Sequence, residues 1–162
     1  MLTAGKFEKV SESQYEMDTD VPDTYDNVVL PKRATKGSAG YDIISPKSFV
    51  LAPGESTKIA TGLRVRMEPG WVLFILPKSG IGTKFRSQLD NTCGVIDSDY
   101  YSDVPGKGVI KIKLVNGGND LVRIESGDAI AQGIITHFFV TDDDSATGDR
   151  NGEGFGSTDG KH

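Results

Sequence analysis

After residue 20, no apolar pattern of helical period lasts beyond two turns. Apolar residues instead alternate with period two or gather in short blocks between glycines and prolines. This excludes a helical domain. The clearest stretch ends a strand expected over residues 56–67. Leu63, Val65 and Met67 point one way there, and Arg64, Arg66 and Glu68 the other. That is the signature of a half-buried antiparallel strand. Ile110, Ile112 and Leu114 alternate with Lys111 and Lys113 in the same manner. The run from Trp71 to Leu76 is apolar throughout and predicts a strand buried on both faces. Further strands are expected over Asn27–Leu30, Ala39–Ile44, Leu121–Ile124 and Ala129–Val140. Pro69-Gly70 and Glu125–Asp128 read as turns, and Asn116–Asp120 as a hairpin turn. Short strands punctuated in this way predict an all-β barrel or sandwich.

A chain of 162 residues is enough for one domain with a core of its own. Its net charge of −5 argues against a nucleic-acid surface, which is normally basic. A small anionic ligand is still allowed, because a metal ion can neutralise it locally. The single cysteine, Cys93, excludes an internal disulfide and a cysteine metal cluster. The opening MLTAGKFEKV lacks the apolar stretch of a signal peptide, and no apolar run reaches membrane-spanning length. The expected location is a reducing cytoplasm.

Both ends differ from the middle. Residues 1–26 read as an N-terminal arm: a short strand over residues 6–10, a helix over about residues 12–17, and an acidic linker. Ser11 followed by Gln14 is a capping box for that helix. Residues 27–141 form the expected β core. Residues 142–162 are rich in Gly, Asp and Ser and cannot build a core, so they read as a flexible tail.

The chemistry is expected around NTCGVIDSDY, Asn91 to Tyr100. Val95 and Ile96 next to Gly94 read as a buried pair on one arm of a hairpin. Asp97 follows where that strand leaves the core. A carboxylate fixed there suits a general base, for which geometry comes before pKa. On a continuing strand, Asp97 and Asp99 would share a face. Asp-Ser-Asp after a strand is equally a plain polar turn. A calcium loop starting at Asp97 fails, since its sixth and twelfth places hold Ser102 and Gly108 rather than Gly and Glu. Three other features stand out. Asp42 sits in mid-strand, where carboxylates are disfavoured, and reads either as solvated or as facing a site. The loop from Pro77 to Lys84 exposes backbone N–H groups between two lysines, which suits a phosphate as well as an ordinary turn. Gln132 in an apolar run needs a hydrogen-bond partner. His137 has no companion at ligand spacing and reads as a packed strand residue.

Five segments in order resemble the motifs of the trimeric, all-β deoxyuridine triphosphatases. They are AGYDI at 39–43, PKSG at 77–80, GVIDSDY at 94–100, GDAIAQ at 127–132 and RNGEGFGST at 150–158. The resemblance implies a β-clip, jelly-roll-like distorted barrel that assembles as a homotrimer. It implies hydrolysis of dUTP to dUMP and pyrophosphate, limiting uracil in DNA and supplying dUMP for thymidylate synthesis. Asp97 would activate the water that attacks the α-phosphorus. Asn91, with backbone groups of Gly94 and Ile96, would read uracil, and Tyr100 would pack against deoxyribose. Lys78, Ser79, Gly80 and Gln132 would contact phosphates. Asp42 would hold Mg2+ through water, the ion being carried mainly by the triphosphate. Arg150 would grip the γ-phosphate, Phe155 would stack on uracil, and Gly156 and Ser157 would complete the closing tail.

Three departures accompany the resemblance. Lys78 stands where arginine is usual, which removes bidentate contacts. Ala129 stands where arginine is common, and the loop YSDVPGKG after Tyr100 is longer than in short members. Two alternatives follow: the dCTP deaminase of the same fold, and a dUTPase that also binds a regulatory protein.

Overall fold

The computed structural model describes residues 3–80 and 87–148. Among these residues there are twelve strands and one short α-helix. In chain order they are β1 (Gly5–Lys9), α1 (Glu12–Asp18), β2 (Lys32–Arg33), β3 (Tyr41–Ile44), β4 (Phe49–Leu51), β5 (Ser56–Ala60) and β6 (Leu63–Met67). Then follow β7 (Trp71–Pro77), β8 (Ser87–Leu89), β9 (Gly94–Asp97), β10 (Lys111–Asn116), β11 (Val122–Ile124) and β12 (Ala129–His137). Four small sheets, β1-β6, β5-β10-β8, β11-β4 and β2-β3-β12-β7-β9, wrap one apolar core as a distorted all-β barrel. No helix among the described residues is long and apolar enough to cross a membrane.

Period-two alternation translates directly into packing. Leu63, Val65 and Met67 are buried, as are Ile110, Ile112 and Leu114. The N-terminal segment adds to the same core. Val10 and Tyr15 are essentially inaccessible, and β1 pairs with β6 from Gly5↔Met67 to Lys9↔Leu63. Helix α1 starts at Ser11, whose hydroxyl accepts from the Gln14 amide at 3.2 Å. Only half of the capping box forms, because the Gln14 side chain donates instead to the Lys107 carbonyl at 2.9 Å. The acidic linker after α1 is a 3-10 turn, Pro22–Asn27.

Several sequence expectations fail for tertiary reasons. Asn27–Leu30 is not a strand: only Val28 is buried, under Gly62, while Val29 and Leu30 are exposed. The strand begins later, at Lys32. On β7, Leu73 and Ile75 are buried, but Phe74 and Leu76 on the opposite face are only half covered. Asn116–Asp120 turns the chain without making a hairpin, since β10 lies between β5 and β8 while β11 pairs with β4. The buried Asn116 amide explains the handover, donating to the carbonyls of Leu51 at 3.0 Å and Asp120 at 2.8 Å. Strand β12 stops at His137, and Phe138, Phe139 and Val140 are exposed. The His137 ring stacks on Trp71 with centroids 3.5 Å apart.

Candidate active site

The central stretch departs from its expected form. β9 pairs with β7, from Gly94↔Ile75 to Asp97↔Val72, and not with the preceding β8. Val95 is exposed and Ile96 half buried, so the two are not a buried pair. The strand ends at Asp97, and Ser98–Tyr100 is a 3-10 turn. Asp97 and Asp99 therefore do not alternate on one strand: Asp97 is half buried at the start of the turn and Asp99 is exposed. The connection from β8 to β9 contains Thr92 at φ 64°, a left-handed conformation that a β-branched residue rarely adopts. Strain of this kind persists only where the surroundings impose it, commonly in binding loops.

Below this turn lies a cavity of about 330 Å³. Its origin is a divergence of strands. β8 pairs with β10 from Leu114 to Asn116, the Asp90 amide still donates to the Lys113 carbonyl at 2.9 Å, and past that bond the space beside Lys111 and Ile112 opens. Asn91, Gly94, Ile96 and Tyr100 all line it, together with Ile75, Leu89 and Ile112. Tyr100 is buried, and its hydroxyl donates to the Val109 carbonyl at 2.7 Å. An apolar cavity with a few fixed polar groups suits a small planar ligand. The sequence pointed to the first four lining residues but not to Leu89 or the edge of β10, which become walls only through strand pairing.

A second group of expected residues gathers elsewhere. Gln132 on β12 stands between Asp42 on β3 and Leu76 on β7 in register. Its amide nitrogen donates to the Pro77 carbonyl at 3.2 Å, the partner that its position in an apolar strand required. A β-carbon on Gly40 would meet Gln132 Oε1 at 2.5 Å, so a larger residue there would push the Gln132 amide aside. Lys78 follows Pro77 and places its ammonium 2.5 Å from Asp42 Oδ1, with both side chains about seven-tenths covered. Ser79 and Gly80 are exposed immediately beyond. Cation, amide and exposed backbone together make a polar corner whose donors have the chemistry to meet an anion, with the Asp42 carboxylate beside them.

The cavity reaches Ile75, two residues before Pro77, but Asp97 and Lys78 belong to opposite ends of β7. Asp97 stands opposite Val72, near the start of the strand, whereas Lys78 follows its last residue. Five residues of extended chain separate Val72 from Pro77, about 17 Å at the usual rise per residue. One chain thus holds the cavity and the polar corner without placing Asp97 beside Lys78. Arg150, Phe155, Gly156 and Ser157 lie outside the described residues.

Comparison with known proteins agrees with the all-β fold. A family model described as dUTPase matches residues 26–159. The deoxyuridine 5'-triphosphate nucleotidohydrolase of Lactococcus lactis is 38% identical over 130 residues, covering 80% of this chain and 87% of that protein. The same enzyme from Tolumonas auensis is 40% identical over 140 residues, covering 82% and 88%. The crystal structure of dUTPase from Streptococcus mutans superposes with a TM-score of 0.68 at 31% identity, covering 84% of this chain and 98% of that one. A mutant dUTPase from phage phi11 of S. aureus, whose structure details the coordination of a structural Mg(II) ion, shares the fold at a TM-score of 0.67 and 22% identity. The all-β architecture and the family match over residues 26–159 agree, and this chain belongs to the dUTPase family.

Proposed function

We infer that the chain hydrolyses dUTP to dUMP and pyrophosphate, in two subsites assembled from different copies of itself. Family membership carries the reaction; the separation of Asp97 from Lys78 along β7 carries the assembly. The cavity at the β8–β9 turn takes uracil and deoxyribose. Asn91 and the backbone at Gly94 and Ile96 offer hydrogen bonds to the base edge. A site built to hydrogen-bond its substrate rejects analogues strongly, because a wrong partner leaves buried polar groups unpaired. Tyr100, fixed by its bond to Val109, presents a ring against the sugar and leaves no room for a 2′-hydroxyl.

The polar corner of a neighbouring copy takes the phosphates. Lys78 contributes a point charge, Ser79 and Gly80 contribute hydroxyl and backbone donors, and Gln132 contributes its amide. Asp97 acts as general base. It draws a proton from water positioned for in-line attack on the α-phosphorus, and pyrophosphate leaves. Before that attack the tail covers the site, with Arg150 on the γ-phosphate, Phe155 over the base, and Gly156 and Ser157 completing the closure. Asp42 fits a hydrated Mg2+ carried by the triphosphate. It is a single hard ligand, and the described residues contain no group of three metal-binding side chains. When bound, the ion neutralises phosphate charge. Lys78 must leave Asp42 for both contacts to form.

We place the assembly as a homotrimer in the cytoplasm, acting on free nucleotide. Pyrophosphate release measured across dUTP, UTP, dCTP and dTTP tests the reading. Turnover confined to dUTP is expected. Ammonia release from dCTP without pyrophosphate would overturn it in favour of deamination.

A further inference from the structure

Tyr101, the residue after Tyr100, closes the 3-10 turn and sits in a polar network with partners from three elements. Its hydroxyl accepts from Arg66 Nη2 at 2.6 Å and faces Glu8 Oε2 at 3.0 Å and Asp103 Oδ1 at 3.1 Å. The guanidinium groups of Arg64 and Arg66 cover its ring, 4.9 and 4.6 Å from the centroid. Arg64 also bonds Asp103 at 2.7 Å and donates to the Ser102 carbonyl at 3.1 Å. Desolvation, with bonds to Glu8 and Asp103, holds the Tyr101 hydroxyl above its ordinary pKa, so it stays protonated at neutral pH.

Glu8 belongs to β1, where the register sets it opposite Arg64. The same N-terminal segment touches the chain beyond Tyr101 twice more. Gln14 donates to the Lys107 carbonyl at 2.9 Å, and Asp18 Oδ1 lies 2.5 Å from the ammonium of Lys111, a residue of the cavity wall. Between the first and second contacts, Gly108 turns at φ 72°, and a β-carbon there would meet Ser102 N at 2.6 Å. The long loop is therefore folded tightly back on itself. Isolated surface ion pairs contribute little. Glu8 and Arg64, however, are each about four-fifths covered and share their partners, so their contacts reinforce one another.

We propose that the N-terminal segment, residues 5–18, is a strap that positions the base and sugar pocket, fastened by Glu8 to Tyr101. It precedes the residues that the family model matches. Neither Glu8 nor Tyr101 touches substrate in this arrangement. They are positioning residues that act through Tyr100, which rests on the reading that Tyr100 excludes the ribose hydroxyl.

Tyr101→Phe keeps the ring between the guanidiniums and deletes only the hydroxyl. Three measurements on the full chain test it: hydrogen exchange of the 97–101 segment, kcat/KM for dUTP against UTP, and the melting temperature. Exchange of that segment should rise several-fold and the preference for dUTP fall about tenfold, as expected for a small misplacement of a positioning group. The melting temperature should stay within about 2 °C, as for a substitution that disturbs no core packing. Glu8→Gln should change exchange in the same segment less strongly. Unchanged exchange at 97–101 in Tyr101→Phe overturns the strap, as does faster exchange with the dUTP preference intact. Tyr100→Ala serves as the control arm. If it leaves the preference unchanged, the sugar reading fails, whereas the exchange measurement still judges the fastening.

Discussion

Lys78 Nζ lies 2.5 Å from Asp42 Oδ1, and these two residues are the proposed phosphate and metal contacts. Each holds the other in place of a ligand. Substrate must break this pair, and the phosphate and its hydrated cation together supply both replacements. Lys78→Ala should therefore raise KM for dUTP by about tenfold, the loss of one charge-assisted contact. Lys78→Arg should keep or improve KM, since a planar fork can bond two phosphate oxygens. Steady-state kinetics at saturating Mg2+ checks both; an unaltered KM in Lys78→Ala removes Lys78 from the site.

Asp97→Asn keeps the shape of the turn and removes the base. Turnover should fall by roughly 10²–10⁴-fold, the usual worth of general-base catalysis. Affinity for a non-hydrolysable dUTP analogue should persist in calorimetry. Near-normal turnover would assign the base to another group.

Asp97 and Lys78 belong to opposite ends of β7, about 17 Å apart along the strand, and do not meet within one chain. Light scattering should therefore return about three times 17.4 kDa. Mixing inactive Asp97→Asn chains with weakly binding Lys78→Ala/Gln132→Ala chains at low dUTP should raise activity above that of either alone, because mixed assemblies contain some intact sites. A fully active monomer would refute the shared site.

Among the described residues, the last fully buried member of the apolar core in sequence is Ala131, with Ile135 packed against it. A chain ending at Gly148 should fold, assemble and melt like the full protein, yet lose most turnover. Phe155→Ala should fall between the two. Ordering backbone costs roughly 1–2 kcal/mol per residue. The closing contacts of Arg150 and Phe155 must therefore offset a large penalty, and each deletion should raise KM for dUTP. Normal hydrolysis by the truncated chain would make the tail an inert linker.

Asp20 receives the Lys47 ammonium at 2.5 Å, and this hydrogen bond lowers the Asp20 pKa below its ordinary value. A depressed carboxylate stabilises the fold above its unfolded pKa, and the contribution disappears as pH falls through the folded value. Asp20 is mostly exposed, so solvent screening limits the effect to under about 1 kcal/mol. Asp20→Asn should lower the melting temperature slightly at pH 7 and not at all near pH 2. An equal deficit at both values would mean that the loss is not ionic.

Period-two alternation and turn residues marked much of the all-β core, though not β4 or β8, and ran β5 and β6 together as one strand. Leu63, Val65, Met67, Ile110, Ile112 and Leu114 are buried where the pattern put them, because side-chain alternation is a property of any extended chain. The order of short motifs likewise pointed to the family before any pairing was known. What the sequence could not hold is which strands meet. β9 chose β7 over β8, and the Asn116–Asp120 turn led to another sheet, because pairing depends on contacts distant in sequence. The cavity exists only where β8 leaves β10, so Leu89 and Lys111 became walls without any local signal. The separation of Asp97 from Lys78 is likewise a matter of register, and so is the approach of Glu8 to Tyr101, 93 positions away. Composition and periodicity describe each residue's own surroundings; only the closed core decides which distant residues share them.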